Sequence, residues 1–243
     1  MARWDRAAAW LPSGALRVLD DGAAFGFGTA RVAAAVRRRA GRIGRRPLVV
    51  GLEYDAGYVA IARRCYSSLP FLRGSAERLP FADTTLDAIL LLDVLEHLPN
   101  EDAALAEAWR VLRRSGTLIV SVPHAGLLAP LDSLNLYSAL RERLPGLLPL
   151  DPTERGSPRH RHYRLADLRR LLGDRFVVER VRRTGVGLSE PLNLLLLLLC
   201  RGLLQSDRLY GLLRFVYFGA HLLEDLVPTG RWGYSVTVRA RKA

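Results

Sequence analysis

The sequence predicts an α/β fold: a mostly parallel sheet of seven strands, doubly wound by helices on both faces. Short runs of Leu, Val and Ile bounded by Gly, Pro or Asp recur along the chain, which is how strands buried on both faces read. Helical patterns alternate with them, and that alternation implies parallel strands joined by crossover helices. At 243 residues, 49% of them hydrophobic, the chain has the size and apolar content of a single packed domain over 1–243.

The elements follow in order. "LRVLD" (16–20) reads as a short buried strand, and "TARVAAAVRRRA" (29–40) as a helix with a basic outer and a small apolar inner face. "RPLVVGLEY" (46–54) is the next strand and "AGYVAIARRCYSSL" (56–69) the next helix. "PFLRG", "LDAILLLDV", "EDAALAEAWRVLRR" and "GTLIVSVPH" carry the alternation to residue 124. Residues 125–158 break it with Pro and Gly punctuation and read as an insertion. A short helix, "LADLRRLLG", and a strand of alternating faces, "RFVVERVRR", come next. Residues 187–228 are a second, very apolar insertion, and the strictly alternating "WGYSVTVRARK" is the last strand.

The formal net charge is +12, with Lys242 the sole lysine. Charge of that size invites a nucleic-acid or anionic-membrane reading. An arginine excess beside abundant Ala and Leu equally reflects a G+C-rich coding sequence, so charge alone is a weak argument for nucleic acid. Cys65 and Cys200 have neither metal-type spacing nor the numbers for a disulfide framework. A reducing cytoplasm is the expected compartment. The N-terminal "MARWDRAAAWLPSG" lacks the apolar core of a secretory signal.

Chemistry concentrates in the first half. Asp20 ends the first strand, and Gly22, Ala24 and Gly26 follow at every second position. Small residues there let backbone approach a ligand, and the next helix aims its positive end at the crevice. The spacing of Gly22, Gly26 and Gly28 is not the Gly-x-Gly-x-x-Gly of nicotinamide sites, and no P-loop Lys-Ser/Thr pair is present. Glu53 closes the second strand at its carboxyl end, where doubly wound sheets bind ligands. A carboxylate there accepts both hydroxyl hydrogens of a ribose.

Together "VLDDGAAFGFGT", "VVGLEYD", "GSAERLPFADTTLDAILLLDVLEHL" and "WRVLRRSGTLIVSVPH" resemble the class I S-adenosylmethionine-dependent methyltransferases, in particular the quinone and sterol C- and O-methyltransferase group. The resemblance covers roughly residues 16–124, the cofactor-binding half, and implies a Rossmann-like sheet with an antiparallel last strand. It implies S-adenosyl-L-methionine as cofactor. Asp20 and the turn through Gly22, Ala24 and Gly26 would hold its methionine part. Glu53 would take the ribose hydroxyls, Tyr54 would lie along the adenine, and Ser75, Ala76 and Glu77 would frame the adenine edge. Asp93 would lie beside the methionine ammonium and the transferable methyl. Two positions depart from the family: Ala24 stands where glycine is usual, and Ser75 where aspartate is.

Methyl transfer from a sulfonium needs an oriented acceptor and, for a hydroxyl, removal of its proton. His124 and His97 are the candidate bases, since a histidine pKa near 6.5 suits that task. Asp93, Glu96 and His97 form an O,O,N set, but aspartate at the first position argues against a metal, and none is expected. The Asn/Asp-Pro-Pro-aromatic sequence of amino-methylating nucleic-acid enzymes is absent. The expected acceptor is small and apolar or lipid-linked, methylated at oxygen or carbon. An RNA or protein methyltransferase, and a methyltransferase-like binding subunit without turnover, are the alternatives. In "PRHRHYRLADL", Arg161 and Tyr163 match a family segment that helps close the substrate pocket; the alternative is a solvated basic loop.

Both insertions, 125–158 and 187–228, are expected to cap the substrate side. Residues 192–204 are too few to cross a ~30 Å hydrocarbon layer as a helix. Leu209, Leu212, Leu213, Val216, Ala220 and Leu223 line one stripe of the following helix, Phe215, Phe218 and Leu222 lie outside it, and Tyr210, Arg214 and His221 form a narrow polar arc. Such a segment roofs an apolar pocket, rests on a membrane surface through 192–226, or forms a homodimer face. The membrane reading places the protein peripherally on the inner face of the cell membrane.

Overall fold

A computed structural model describes residues 3–41, 44, 46–127, 129–144, 148, 161–187, 189–224, 226–227, 229 and 233–243. Seven strands form one sheet: β1 Arg17–Asp21, β2 Leu48–Glu53, β3 Phe71–Arg73, β4 Leu86–Leu92, β5 Leu112–Pro123, β6 Phe176–Thr184 and β7 Ser235–Lys242, in the order β3-β2-β1-β4-β5-β7-β6. Strands β1 to β5 pair in parallel, and β7 runs antiparallel between β5 and β6. The chain winds outward from β1 to β3 and then returns to start again at β4. The crevice between β1 and β4 at their carboxyl ends is therefore the switch point at which such sheets take ligands.

Alternation within strands builds two cores. In β4, buried along its whole length, Ile89 and Leu91 join Leu105, Ala108 and Val111 of α4 (Glu101–Val111) and Leu168 and Leu172 of a helix over Leu165–Leu172. Ala88, Leu90 and Leu92 point the other way, to Val32, Ala33 and Val36 of α2 (Phe27–Ala40) and Val59 and Ala62 of α3 (Ala56–Cys65). Side-chain caps start two of these helices: Asp55 Oδ1 accepts from Tyr58 N at 2.8 Å and Asn100 Oδ1 from Ala103 N at 3.0 Å. Helix α4 stops at Val111, short of the expected 114, because Leu112 already pairs with Leu86 across the sheet.

An N-terminal helix, α1 (Arg3–Trp10), was not evident from the sequence. It packs on α2, where a Cβ on Gly28 would lie 2.0 Å from Trp4 Nε1, so only glycine admits the indole. Asp5 accepts two bonds from the Arg31 guanidinium, at 3.0 and 2.6 Å.

The Leu165–Leu172 helix, between the insertions, is α6; the insertions themselves contribute α5 (Ser133–Arg143), α7 (Ser189–Leu196), a π-helical turn over Leu197–Leu203, and α8 (Asp207–Glu224). They pack on each other through Tyr137, Leu148 and Leu197. A buried polar chain ties them: Asn193 Nδ2 donates to Ser133 Oγ, which donates to Glu190 Oε2 at 2.7 Å. Residues 128, 145–147 and 149–158 of the first insertion and 188, 225 and 228 of the second lie outside the described residues. No helix among the described residues is long and apolar enough to cross a membrane.

Candidate active site

A cavity of about 470 Å³ opens at the carboxyl ends of β1, β2 and β4. Its walls include Asp21, Gly22, Ala24, Glu53, Tyr54, the turn Gly74–Glu77, Asp93 and His97. The loop after β1 is held down by Gly22 N and Ala23 N, both donating to Leu52 O at 2.9 Å. Gly22 has φ +88°, and a Cβ there would strike Val94 Cγ2 at 2.3 Å, so backbone itself forms the wall. Ala24 takes up a left-handed φ of 44° that glycine would adopt without strain. Its N–H donates to Glu53 Oε2 at 3.0 Å, while Asp55 N donates to Oε1 at 2.9 Å. These two bonds fix the Glu53 carboxylate on the cavity wall.

The adjacent aspartates divide their work. Successive strand residues face opposite ways, and it is Asp21, not the expected Asp20, that reaches the cavity wall. Asp20 Oδ2 accepts from Thr29 Oγ1 at 2.6 Å, pinning the start of α2 to β1. Burial lifts the Asp20 pKa to about 6, against the Thr29 hydrogen bond, with Glu53 adding to the rise. Asp21 is pushed up to about 8 by burial and by the charges of Asp20 and Glu53. Gly26 is likewise absent from the walls; with φ 83° it caps α2.

On the opposite side Tyr54 offers an exposed ring, 66% accessible. Ser75 Oγ accepts from Glu77 N at 3.2 Å, closing the turn, and Ala76 is buried in it. Glu77 lines the cavity, yet its Oε1 accepts from Asn100 N at 2.7 Å and ties the turn to α4. Asp93 follows β4 with φ 57° and is ion-paired with Arg3 of α1, a residue the sequence did not single out. The same guanidinium contacts His221 of α8.

The histidines separate. His97 lines the cavity from the 3₁₀ turn Leu95–His97. His124, expected as a base, is not on its walls: the buried ring bonds Gly233 O through Nδ1 at 2.9 Å, in the β5–β7 region. Burial lowers its pKa, against the Gly233 hydrogen bond, with Arg183 and His162 pushing the same way as burial. Arg161 and Tyr163 bind Glu101 at the start of α4 and are not on the cavity walls. Glu96 is buried behind the Asp93–His97 wall, and no metal-type cluster of three His, Cys, Asp or Glu occurs among the described residues.

The crevice is carboxylate-lined and sits at a topological switch point of the sheet. Residues 23–120 match the family model for a methyltransferase domain. Over 113 residues, 46% of this chain, the sequence is 32% identical to a probable S-adenosylmethionine-dependent methyltransferase of Mycolicibacterium smegmatis, covering 40% of that protein. Over 86 residues, 35% of this chain, it is 36% identical to the demethylmenaquinone methyltransferase of Beutenbergia cavernae, covering 36% of it. The matches thus span less than half the length of these curated relatives. The fold is similar to that of magnesium protoporphyrin IX methyltransferase from Synechocystis, solved with bound SAH, at TM-score 0.55 and 19% identity over 99% of this chain and 82% of that one. Over residues 23–120 the chain is thus similar to methyltransferase domains, and its relatives over that stretch include S-adenosylmethionine-dependent methyltransferases.

Proposed function

We propose that the protein transfers a methyl group from S-adenosylmethionine to oxygen or carbon of a small, apolar or lipid-linked acceptor. The observation that carries this reading is the convergence of Asp21, Glu53 and Asp93 on one cavity of about 470 Å³, walled on one side by backbone at Gly22. The residues fit such a cofactor. It brings an ammonium and a sulfonium, and Asp21 and Asp93 supply the opposing carboxylates. Glu53, held by two backbone donors at the carboxyl end of β2, would take the ribose hydroxyls. Tyr54 would lie along the adenine, and the turn Ser75–Ala76–Glu77 would frame its edge.

When bound, the cofactor supplies the electrophilic methyl group; the protein has to orient the acceptor and manage its proton. His97, on the cavity wall, would take a hydroxyl proton, and His124, bonded to Gly233 O away from the cavity, would serve the fold instead. The demethylmenaquinone methyltransferase match supports an apolar acceptor class. Incubation with methyl-labelled S-adenosylmethionine and, in parallel, membrane lipid extract, RNA and total protein tests this. Label in the organic-soluble lipid fraction is expected; label confined to RNA or protein overturns the acceptor class.

A second reading, a binding subunit without turnover, is favoured by one observation. Arg3 sits on the Asp93 carboxylate, where a cationic ligand group would go. Cofactor binding with no transfer to any fraction would select it.

A further inference from the structure

Helix α8 is turned inside out. Its polar residues Tyr210, Arg214, Tyr217, His221 and Glu224 recur at helical spacing and face the protein. Tyr210 OH donates to Asn193 Oδ1 at 3.0 Å, Arg214 stacks over the Phe25 ring at 5.2 Å, and Glu224 Oε1 accepts from Ser189 N at 2.5 Å. Tyr217 OH reaches Glu190 at 3.5 Å, and His221 contacts Arg3. The opposite arc is apolar and open: Leu212, Phe215 and Leu223 are each 67% accessible and Val216 57%. Leu203 and Leu204, 75% and 56% accessible, extend it past the π-helical turn. One turn before Leu212, exposed Arg208 lies on the same arc.

A soluble helix normally buries its apolar stripe and wets its polar one. Here the polar stripe is used up in holding the helix to Arg3, Phe25, Ser189, Glu190 and Asn193, so the apolar arc is left for something outside the chain. Two features choose between a second copy and a lipid surface. The chain carries +12, so a second copy is repelled and an anionic surface attracted. The arc is built from Leu, Val and Phe, which enter an acyl boundary, and its exposed Arg208 can reach a phosphate headgroup. We propose that the outer face of α8, with Leu203 and Leu204, lies in the interface of an anionic bilayer, parallel to its plane. This stands independently of the methyl-transfer reading, since it concerns the opposite face of the helix.

Flotation with vesicles, in the absence of S-adenosylmethionine, tests it. The protein is expected to float with phosphatidylcholine vesicles containing phosphatidylglycerol, less with phosphatidylcholine alone, and less at high salt. Leu212→Ser with Phe215→Ser is expected to lower the partition coefficient by about tenfold or more, with the urea unfolding midpoint unchanged because both side chains are exposed. Arg208→Glu is expected to weaken binding to the anionic vesicles only. Failure of the wild type to float overturns the proposal, as does undiminished flotation of the double variant. A concentration-dependent dimer in sedimentation that the double variant abolishes, without flotation, assigns the arc to a second copy and overturns it too.

Discussion

Asp21 is the residue at which stability and function pull apart. It is 5% accessible at the cavity wall, beside Asp20 and Glu53, and its pKa rises from 3.8 to about 8. A carboxyl whose folded pKa is raised favours the fold fully below 3.8; that contribution is lost as pH rises towards 8. At pH 7 the folded chain holds a proton that the unfolded chain has released, at a cost of about 4 kcal/mol as a ceiling, from 1.36 kcal/mol per pH unit. At pH 5 the same cost is under about 2 kcal/mol. Asp21→Asn keeps the shape of the protonated acid without the titration. Urea unfolding is therefore expected to show the variant stabilised over wild type, and more so at pH 7 than at pH 5, by up to about 3 kcal/mol. A gain equal at both pH values, or a loss at pH 7, would refute the reasoning.

Four further outcomes follow from the same geometry. Affinity for S-adenosylmethionine rises with pH below 8, as Asp21 loses the proton that competes with a cation, and calorimetry in buffers of different ionisation enthalpy registers proton release that Asp21→Asn abolishes. Ala24→Gly removes the strain of φ 44° and stabilises the fold by about 1 kcal/mol without weakening cofactor binding, measured by urea unfolding and titration. Arg3→Ala frees the Asp93 carboxylate and tightens S-adenosylmethionine binding severalfold while lowering the unfolding midpoint, since an ion pair and a contact to α8 are lost. His124→Asn leaves that affinity unchanged, because the ring is bonded to Gly233 O away from the cavity.

Much of the sheet was legible because its strands are buried on both faces and announce themselves as apolar runs; β4 is the clearest, with every residue buried. Glu53 was legible for a topological reason, since it ends the strand beside β1. The choice between Asp20 and Asp21 was not, because both end the same strand and only the pleat decides which one faces the cavity. Helix α1 is not legible in the sequence, since its burial rests on Trp4 seated over Gly28, a contact with no sequence period. The apolar stripe of α8 was seen, but its direction was set by long-range partners of the polar arc, at Asn193, Phe25 and Arg3. His124 and His97 looked alike as strand-end histidines; the antiparallel pairing of β5 with β7 carries one of them out of the cavity.

The central claim is that the crevice between β1, β2 and β4 holds S-adenosylmethionine with Glu53 gripping its ribose. Isothermal titration of the wild type and Glu53→Ala with that compound tests it most directly. The account predicts saturable binding that the substitution weakens by about tenfold or more, the loss of a charged acceptor for two hydroxyls. No heat with the wild type, or equal affinity in both proteins, would contradict it.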